Sequence, residues 1–382
     1  MDSGGKIRTT GILREMKGGP YEITLLSPQP DDDGDYQHEL EKVADRWEFW
    51  QPSRGVARKL RRLAYLGHRL PVSVAADISR SGSELVVRQL PLHDIVVFDF
   101  IHAAVLAPDT IDTPAVIFTH NVESKIFERH AHVNDNLLMR RLWRSQWRKM
   151  LRFENDSLKR FDRIVAVSEV DRQGFAEQYS LRDVDTIPTG VDLNYFPFRS
   201  QGEPGRVVFT GSMDWLANQD GIEFFLDEIW PRVCAQRDDA SMSVVGRAPP
   251  ERLMQRARQV PGLEFTGFVD DVRPYMHRAS AYVIPLRVGG GTRLKVFEAM
   301  ASGCPVISTA IGVEGLGLED GVHYLEADSS EEFAAATVRV LDDPDLAQRL
   351  ARAARRFVED NASNSLVARR FEQICDAAMN TG

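Results

Sequence analysis

Cysteine is scarce in this chain. Cys234, Cys304 and Cys375 are the only three in 382 residues, far apart and odd in number. That excludes a disulfide framework and a cysteine-based zinc site, and it points to a reducing compartment. Long apolar runs are missing as well: no window offers the roughly 20 uninterrupted apolar residues of a membrane span, and no charged-then-apolar leader opens the chain. There is no internal repeat or low-complexity tract. Nor is there an excess of positive charge, because 47 Lys and Arg face 56 Asp and Glu, and a net charge of −9 argues against bulk nucleic-acid binding. What is present, 43% hydrophobic and 27% charged residues, reads as soluble and globular, with length for two domains that each bury a core.

The chain is organised around residues 285–309, PLRVGGGTRLKVFEAMASGCPVIST. The apolar run of Tyr282, Val283 and Ile284 reads as a strand. Gly289, Gly290 and Gly291 then form a permissive loop, followed by Thr292, Arg293, Lys295 and a helix-forming run over 294–301. A helix start presents unpaired N–H groups and partial positive charge, which suits a phosphate. Glycines let the backbone approach such a ligand, and Arg293 and Lys295 add charge beside it. Glu298, further along the helix, suits acceptance of hydrogen bonds from sugar hydroxyls. A plain Gly-rich turn is the alternative, but the stop at Ser302-Gly303 and the apolar run over 304–308 complete a tight βαβ unit.

This segment resembles the donor-binding signature of retaining nucleotide-sugar glycosyltransferases of family four, and the form GGGTRLKVFEAMA resembles a subgroup found with bacterial exopolysaccharide gene clusters. The resemblance covers nearly the whole chain and implies an α/β fold of the GT-B type, two Rossmann-like doubly wound domains facing across a cleft. It implies an acceptor-side domain over 1–195, joined by a last helix over 365–382 that crosses back, and a donor-binding domain over 196–364. One departure stands out. The family commonly has two glutamates seven residues apart here, and the first position is Gly290.

Taken in order, the chain opens with Ser3-Gly4-Gly5 before a helix-like run. That reads as the loop after a first strand, yet no strand precedes it. In the family, such glycines lie against the donor diphosphate, so Gly4 and Gly5 are candidates and a strand upstream of them is expected to be missing; the alternative is a tail. A strand over 21–26 and a polar loop over 28–35 follow, then a basic, acid-free segment over 54–69. Strands are expected over 94–98 and 115–119. The second runs into His120-Asn121-Val122-Glu123, at the carboxyl end where open α/β sheets hold their ligands. THNVES resembles the family's active-site loop, which makes His120, with Glu298, a catalytic candidate. Over 137–152, Trp143 and Trp147 follow helical spacing beside a row containing Arg140, Arg144 and Arg148. Such a helix suits an anionic membrane or acceptor, or else is an ordinary domain helix with core tryptophans.

In the second half, Gly211 and Ser212 end a strand over 207–210, before a helix expected over 221–233. The Arg and Lys that many relatives carry between Gly211 and Gly221 are missing. Strands over 242–245 and 263–266 end in Gly246-Arg247 and Gly267-Phe268-Val269. The resemblance makes Phe268 and Val269 the contacts to the nucleotide base, and Arg247 a further donor contact. The expected function is transfer of a sugar from a nucleotide-diphosphate sugar to a carbohydrate or lipid-linked acceptor in bacterial surface polysaccharide synthesis. Charge growing on the leaving diphosphate would be met by helix starts, Arg293 and Lys295. No metal or cofactor is then required, and no Asp-x-Asp sequence is arranged as a metal bridge. A cytoplasmic protein, peripheral on the inner membrane face, is expected. A nucleotide-sugar 2-epimerase of the same fold and a non-catalytic nucleotide-sugar-binding protein are the rivals.

Overall fold

A computed structural model describes residues 4–30, 36–52, 65–133, 136–199, 202–288 and 294–380. The chain divides into two compact units, residues 1–188 with 367–382, and residues 189–366. Each has its own hydrophobic core, as a chain this long requires. Among the described residues no helix is long and apolar enough to cross a membrane.

The first unit opens with helix α1 (Gly4–Met16). Strands β1 (Thr24–Pro28) and β2 (Arg46–Trp50) pair in parallel as a sheet of their own. Helix α2 (Arg80–Gln89), capped by the Ser79 side chain, leads to a separate four-stranded parallel sheet. Its order is β3 (Val96–Asp99), β4 (Ala115–Phe118), β5 (Arg163–Ala166) and β6 (Val184–Thr186). The β4 strand, AVIF, is buried throughout. Ala115 and Ile117 join the apolar cluster on one sheet face, and Val116 and Phe118 join that on the other. This is how a parallel strand covered on both sides reads. Helices α3 (Glu123–Val133), α4 (Leu137–Leu158) and α5 (Glu169–Tyr179) intervene.

The second unit carries a six-stranded parallel sheet of β7 (Arg206–Thr210), β8 (Ser241–Val245), β9 (Leu263–Gly267), β10 (Ala281–Ile284), β11 (Val306–Ser308) and β12 (Leu325–Glu326). Its order is β12-β11-β10-β7-β8-β9, the doubly wound arrangement whose switch point lies between β7 and β10. Helix α6 (Leu216–Phe224) follows β7, and α7 (Leu294–Ser302) follows β10. Helix α6 starts five residues before the expected Gly221. That glycine lies inside it because a Cβ there would come within 2.8 Å of the Pro285 carbonyl oxygen. Beyond α6 the backbone widens into a π turn at Phe225–Ile229 before a helical turn containing Pro231. Helix α8 (Ser330–Asp342) begins with a Ser329/Glu332 capping box, and α9 (Pro344–Asn361) with the Asp343 side chain and proline. The last helix, α10 (Asn364–Met379), buries Val367, Ala368, Phe371 and Cys375 in the first unit's core with Phe118.

Candidate functional site

In the second unit, side chains gather at the carboxyl ends of β7, β8 and β9 beside the switch point. The Gly211 N–H donates to the Val245 carbonyl at 2.9 Å, and the Met213 N–H to the Arg247 carbonyl at 2.9 Å, which ties the loops after β7 and β8 together. Gly246 is required there, since any Cβ would run into the Gly211 carbonyl. From α7 the Lys295 ammonium reaches the same place. It donates to Asn218 Oδ1 at 2.8 Å and lies 4.3 Å from the Phe209 ring centroid. A Cβ on Gly211 would come within 2.8 Å of Lys295 Nζ. The glycine thus leaves room for the cation.

Ser212 and Arg247 belong to the same cluster. Arg247 Nε donates to Ser212 Oγ at 2.9 Å, Ser212 Oγ donates to Asp214 Oδ1 at 2.7 Å, and Arg247 pairs with Asp214 at 3.2 Å. The hydroxyl, with Arg247, holds the Asp214 carboxyl below the usual range. Asn218 was not legible in the sequence. It is buried on α6, donates to the Ser212 carbonyl at 2.7 Å and so positions both the loop and Lys295. No spacing marks it, because its partners come from two other segments.

Glu298 lies one turn beyond Lys295 on α7. Burial pushes its carboxyl up to about 7, with Lys295 pulling it back down. Phe268 and Val269 follow β9, where Gly267 turns with φ of +70°. Phe268 is 73% exposed, whereas Val269 packs against the unit's core. Five of the expected donor contacts, Gly289, Gly290, Gly291, Thr292 and Arg293, lie outside the described residues.

The first unit holds His120 differently from the expectation of a side chain facing a sugar. Its ring is 5% exposed, stacked on Phe100 at 3.9 Å and beside Phe118 at 4.4 Å. Nε2 lies 2.6 Å from Asp99 Oδ1 and Nδ1 lies 2.9 Å from Arg8 Nη1. A guanidinium only donates and a carboxylate only accepts, so these contacts select the neutral tautomer with the proton on Nε2. Arg8 is buried, and desolvation lowers its guanidinium to about 10 against the pull of Asp99. Asp99 also accepts from Thr9 Oγ1 at 3.0 Å, and its side chain is 37% exposed. Asp99 is therefore the member of this group that solvent reaches, and it was missed in the sequence. Gly4 and Gly5, expected in a loop, form the first turn of α1, and a Cβ on Gly5 would collide with the Phe100 ring.

Beneath the His120 loop, the fully buried Glu154 accepts from the Ser124 N–H at 3.3 Å and from the Tyr179 hydroxyl. Burial pushes this carboxyl up. On α4, Trp143 stacks on His130 at 4.5 Å and Trp147 meets His132, both against the first unit's core. Arg144 and Arg148 are exposed and Arg140 half-buried. Among the described residues, no three His, Cys, Asp or Glu side chains are grouped to hold a metal ion.

Known proteins share this arrangement. Over 203 residues the chain is 31% identical to the phosphatidyl-myo-inositol mannosyltransferase of Mycolicibacterium smegmatis, covering 50% of this chain and 52% of that protein. It is 27% identical to the glycogen synthase of Mycobacterium tuberculosis, covering 72% and 66%. The chain thus spans only about half to two thirds of these curated relatives. An uncharacterized 44.6 kDa protein in the cps region of Klebsiella pneumoniae is 21% identical, covering 69% of each. Among solved structures, Anabaena Alr3699/HepE in complex with UDP and glucose matches with a TM-score of 0.66 at 14% identity, covering 98% and 96%. Sucrose-phosphate synthase from Thermosynechococcus elongatus matches with 0.68 at 17%, covering 100% and 94%. At these identities the structures establish the fold, an α/β fold of the GT-B type with two Rossmann-like domains. The family model described as glycosyl transferases group 1 matches residues 204–343. The model of Glycosyltransferase Family 4 matches residues 3–195, just over half of the chain, and the chain belongs to that family.

Proposed function

We propose that this protein transfers a sugar from a nucleotide-diphosphate sugar to a carbohydrate or lipid-linked acceptor, with retention of anomeric configuration, in bacterial surface or exopolysaccharide synthesis. The observation that carries the reading is the Lys295 ammonium beside Gly211 at the switch point of the second sheet. That place suits a diphosphate, with cationic charge aimed where negative charge grows on the leaving group. Arg293 would add to it from the glycine-rich segment, and the charge requires no metal. Glu298 would accept from the ribose hydroxyls, and the exposed Phe268 offers a flat face to the base. In the first unit, His120 acts by holding Asp99, the carboxylate open to a donor sugar or acceptor hydroxyl. UDP bound in the Alr3699/HepE structure and the cps-region relative support the donor class and the polysaccharide setting.

The acceptor is proposed to be lipid-linked, met by the protein at the cytoplasmic membrane face. On α4, Leu137 and Leu138 are 64% and 76% exposed next to the exposed Arg141, Arg144 and Arg148. Apolar tips ringed by arginines suit an anionic interface. The tryptophans, which pack inward, are not part of this surface.

The test is thermal-shift titration of the intact protein with UDP, GDP, dTDP and ADP, followed by product analysis with the sugar of the best binder. A ligand at 100 times its Kd stabilises the folded state by about 2.7 kcal/mol. One diphosphate should raise the melting temperature in the wild type and fail to do so at equal concentration in Lys295→Ala. If none binds, or if Lys295→Ala binds equally well, the diphosphate site is elsewhere.

A further inference from the structure

The two units are built on the same plan with one difference. In the second, the sheet reads β9-β8-β7-β10, with the unit's first strand, β7, between the strand that follows its helix and the strand that begins its second half. In the first unit, the corresponding sequence is β2, β1, then β3, and β1 and β3 are not bonded to each other. Among the described residues, β1 pairs only with β2, and β3 only with β4. Between them lies a cavity of about 960 Å³, lined by all of β1 and all of β3.

Its remaining walls are apolar on both sides. Ile12 and Met16 of α1 and Phe371 of α10 line it from the core of one sheet face, and Val86 of α2 and Leu90 line it from the other. A parallel strand covered on both faces needs such walls. Two facing strand edges with unused backbone donors and acceptors are a template for one more strand.

The direction of α1 fixes how it would enter. Thr9 and Arg8 meet Asp99 and His120 at the carboxyl ends of β3 and β4. At the other end of the helix, Lys17 pairs with Asp45, just before β2. Helix α1 therefore runs antiparallel to the strands and delivers the chain to the start of β1. That is the second half of a βαβ unit. Polypeptide joined to the start of α1 reaches the cavity from the carboxyl end, in the parallel sense.

We propose that this cavity is the seat of a further parallel β-strand, supplied by an extended apolar segment of the chain joined to the start of α1. About five residues match the length of β1, and the β7 sequence Arg206–Thr210, RVVFT, shows the required chemistry. Filling the seat merges the two sheets of the first unit into one seven-stranded sheet. This does not depend on the proposed catalytic reading.

The test joins RVVFT to the amino terminus of the full chain through a short Gly-Ser linker and compares it with a RPVPT version, in which proline removes N–H donors. Amide hydrogen exchange is followed by mass spectrometry. With RVVFT, exchange over 24–28 and over 96–99 should slow at least tenfold together, and the melting temperature should rise by several degrees; RPVPT should do neither. The free peptide KKRVVFTKK, added to the unextended protein, should protect the same two segments. If the fused strand protects neither β1 nor β3, or if RPVPT protects them equally, the seat is not a strand site. Binding of the free peptide with protection elsewhere overturns it too, because an apolar sink then explains the cavity.

Discussion

Glu298→Gln separates the environment of this residue from its role in binding. Its carboxyl titrates near 7 in the folded chain, against an ordinary 4.5. Between those values the folded state holds a proton that the unfolded state has released, so stability falls as pH rises from about 4.5 to about 7 and is flat above. The full shift corresponds to roughly 3 kcal/mol, and this is a ceiling because solvent still reaches part of the residue. Glutamine cannot ionise and is immune. The variant's stability relative to wild type should therefore rise by up to about 2.5 kcal/mol between pH 5 and pH 8.5. For a unit of this size that is a relative gain of roughly 5–10 °C in melting temperature. Differential scanning calorimetry of both proteins across that range, at fixed ionic strength, reads the gap directly. Any constant cost of the amide cancels in the comparison. A gap that does not change with pH would show that the carboxylate ionises normally, and the argument from burial would fail.

Lys295→Ala should weaken the best nucleoside diphosphate by about 1.5–3 kcal/mol, the range for a charge-assisted hydrogen bond, read by isothermal titration calorimetry. Gly246→Ala should destabilise the second unit by more than 1 kcal/mol, because its methyl meets backbone at Gly211 that cannot move aside, and urea unfolding measures it. Glu154→Ala should cost about 1–3 kcal/mol by leaving the Ser124 N–H and the Tyr179 hydroxyl buried without their acceptor, read by thermal unfolding. Arg144→Glu with Arg148→Glu should abolish sedimentation with phosphatidylglycerol vesicles while leaving nucleotide binding intact; failure of the wild type to sediment would dismiss the membrane surface.

The sequence alone determined the α/β class and most of the second unit's layout, because buried parallel strands such as 281–284 read as continuous apolar runs and their helices carry clear stops. Lys295 and Gly211 were legible for the same reason: each follows a strand end, and strand ends are where such sheets bind. Gly221 was misread as a boundary, since a glycine that punctuates a turn and one that admits a neighbouring carbonyl look alike in one dimension. Periodicity on α4 could not choose between membrane and core for Trp143 and Trp147; only the His130 and His132 rings packed against them decided it. Asn218, Asp99 and Glu154 became visible only in three dimensions, because each acts through partners distant in the chain. Burial of His120 is likewise a tertiary fact. Its place after β4 followed from the chain, but the Phe100 ring and Arg8 that close over it come from elsewhere, and hydrogen-bond geometry sets its tautomer.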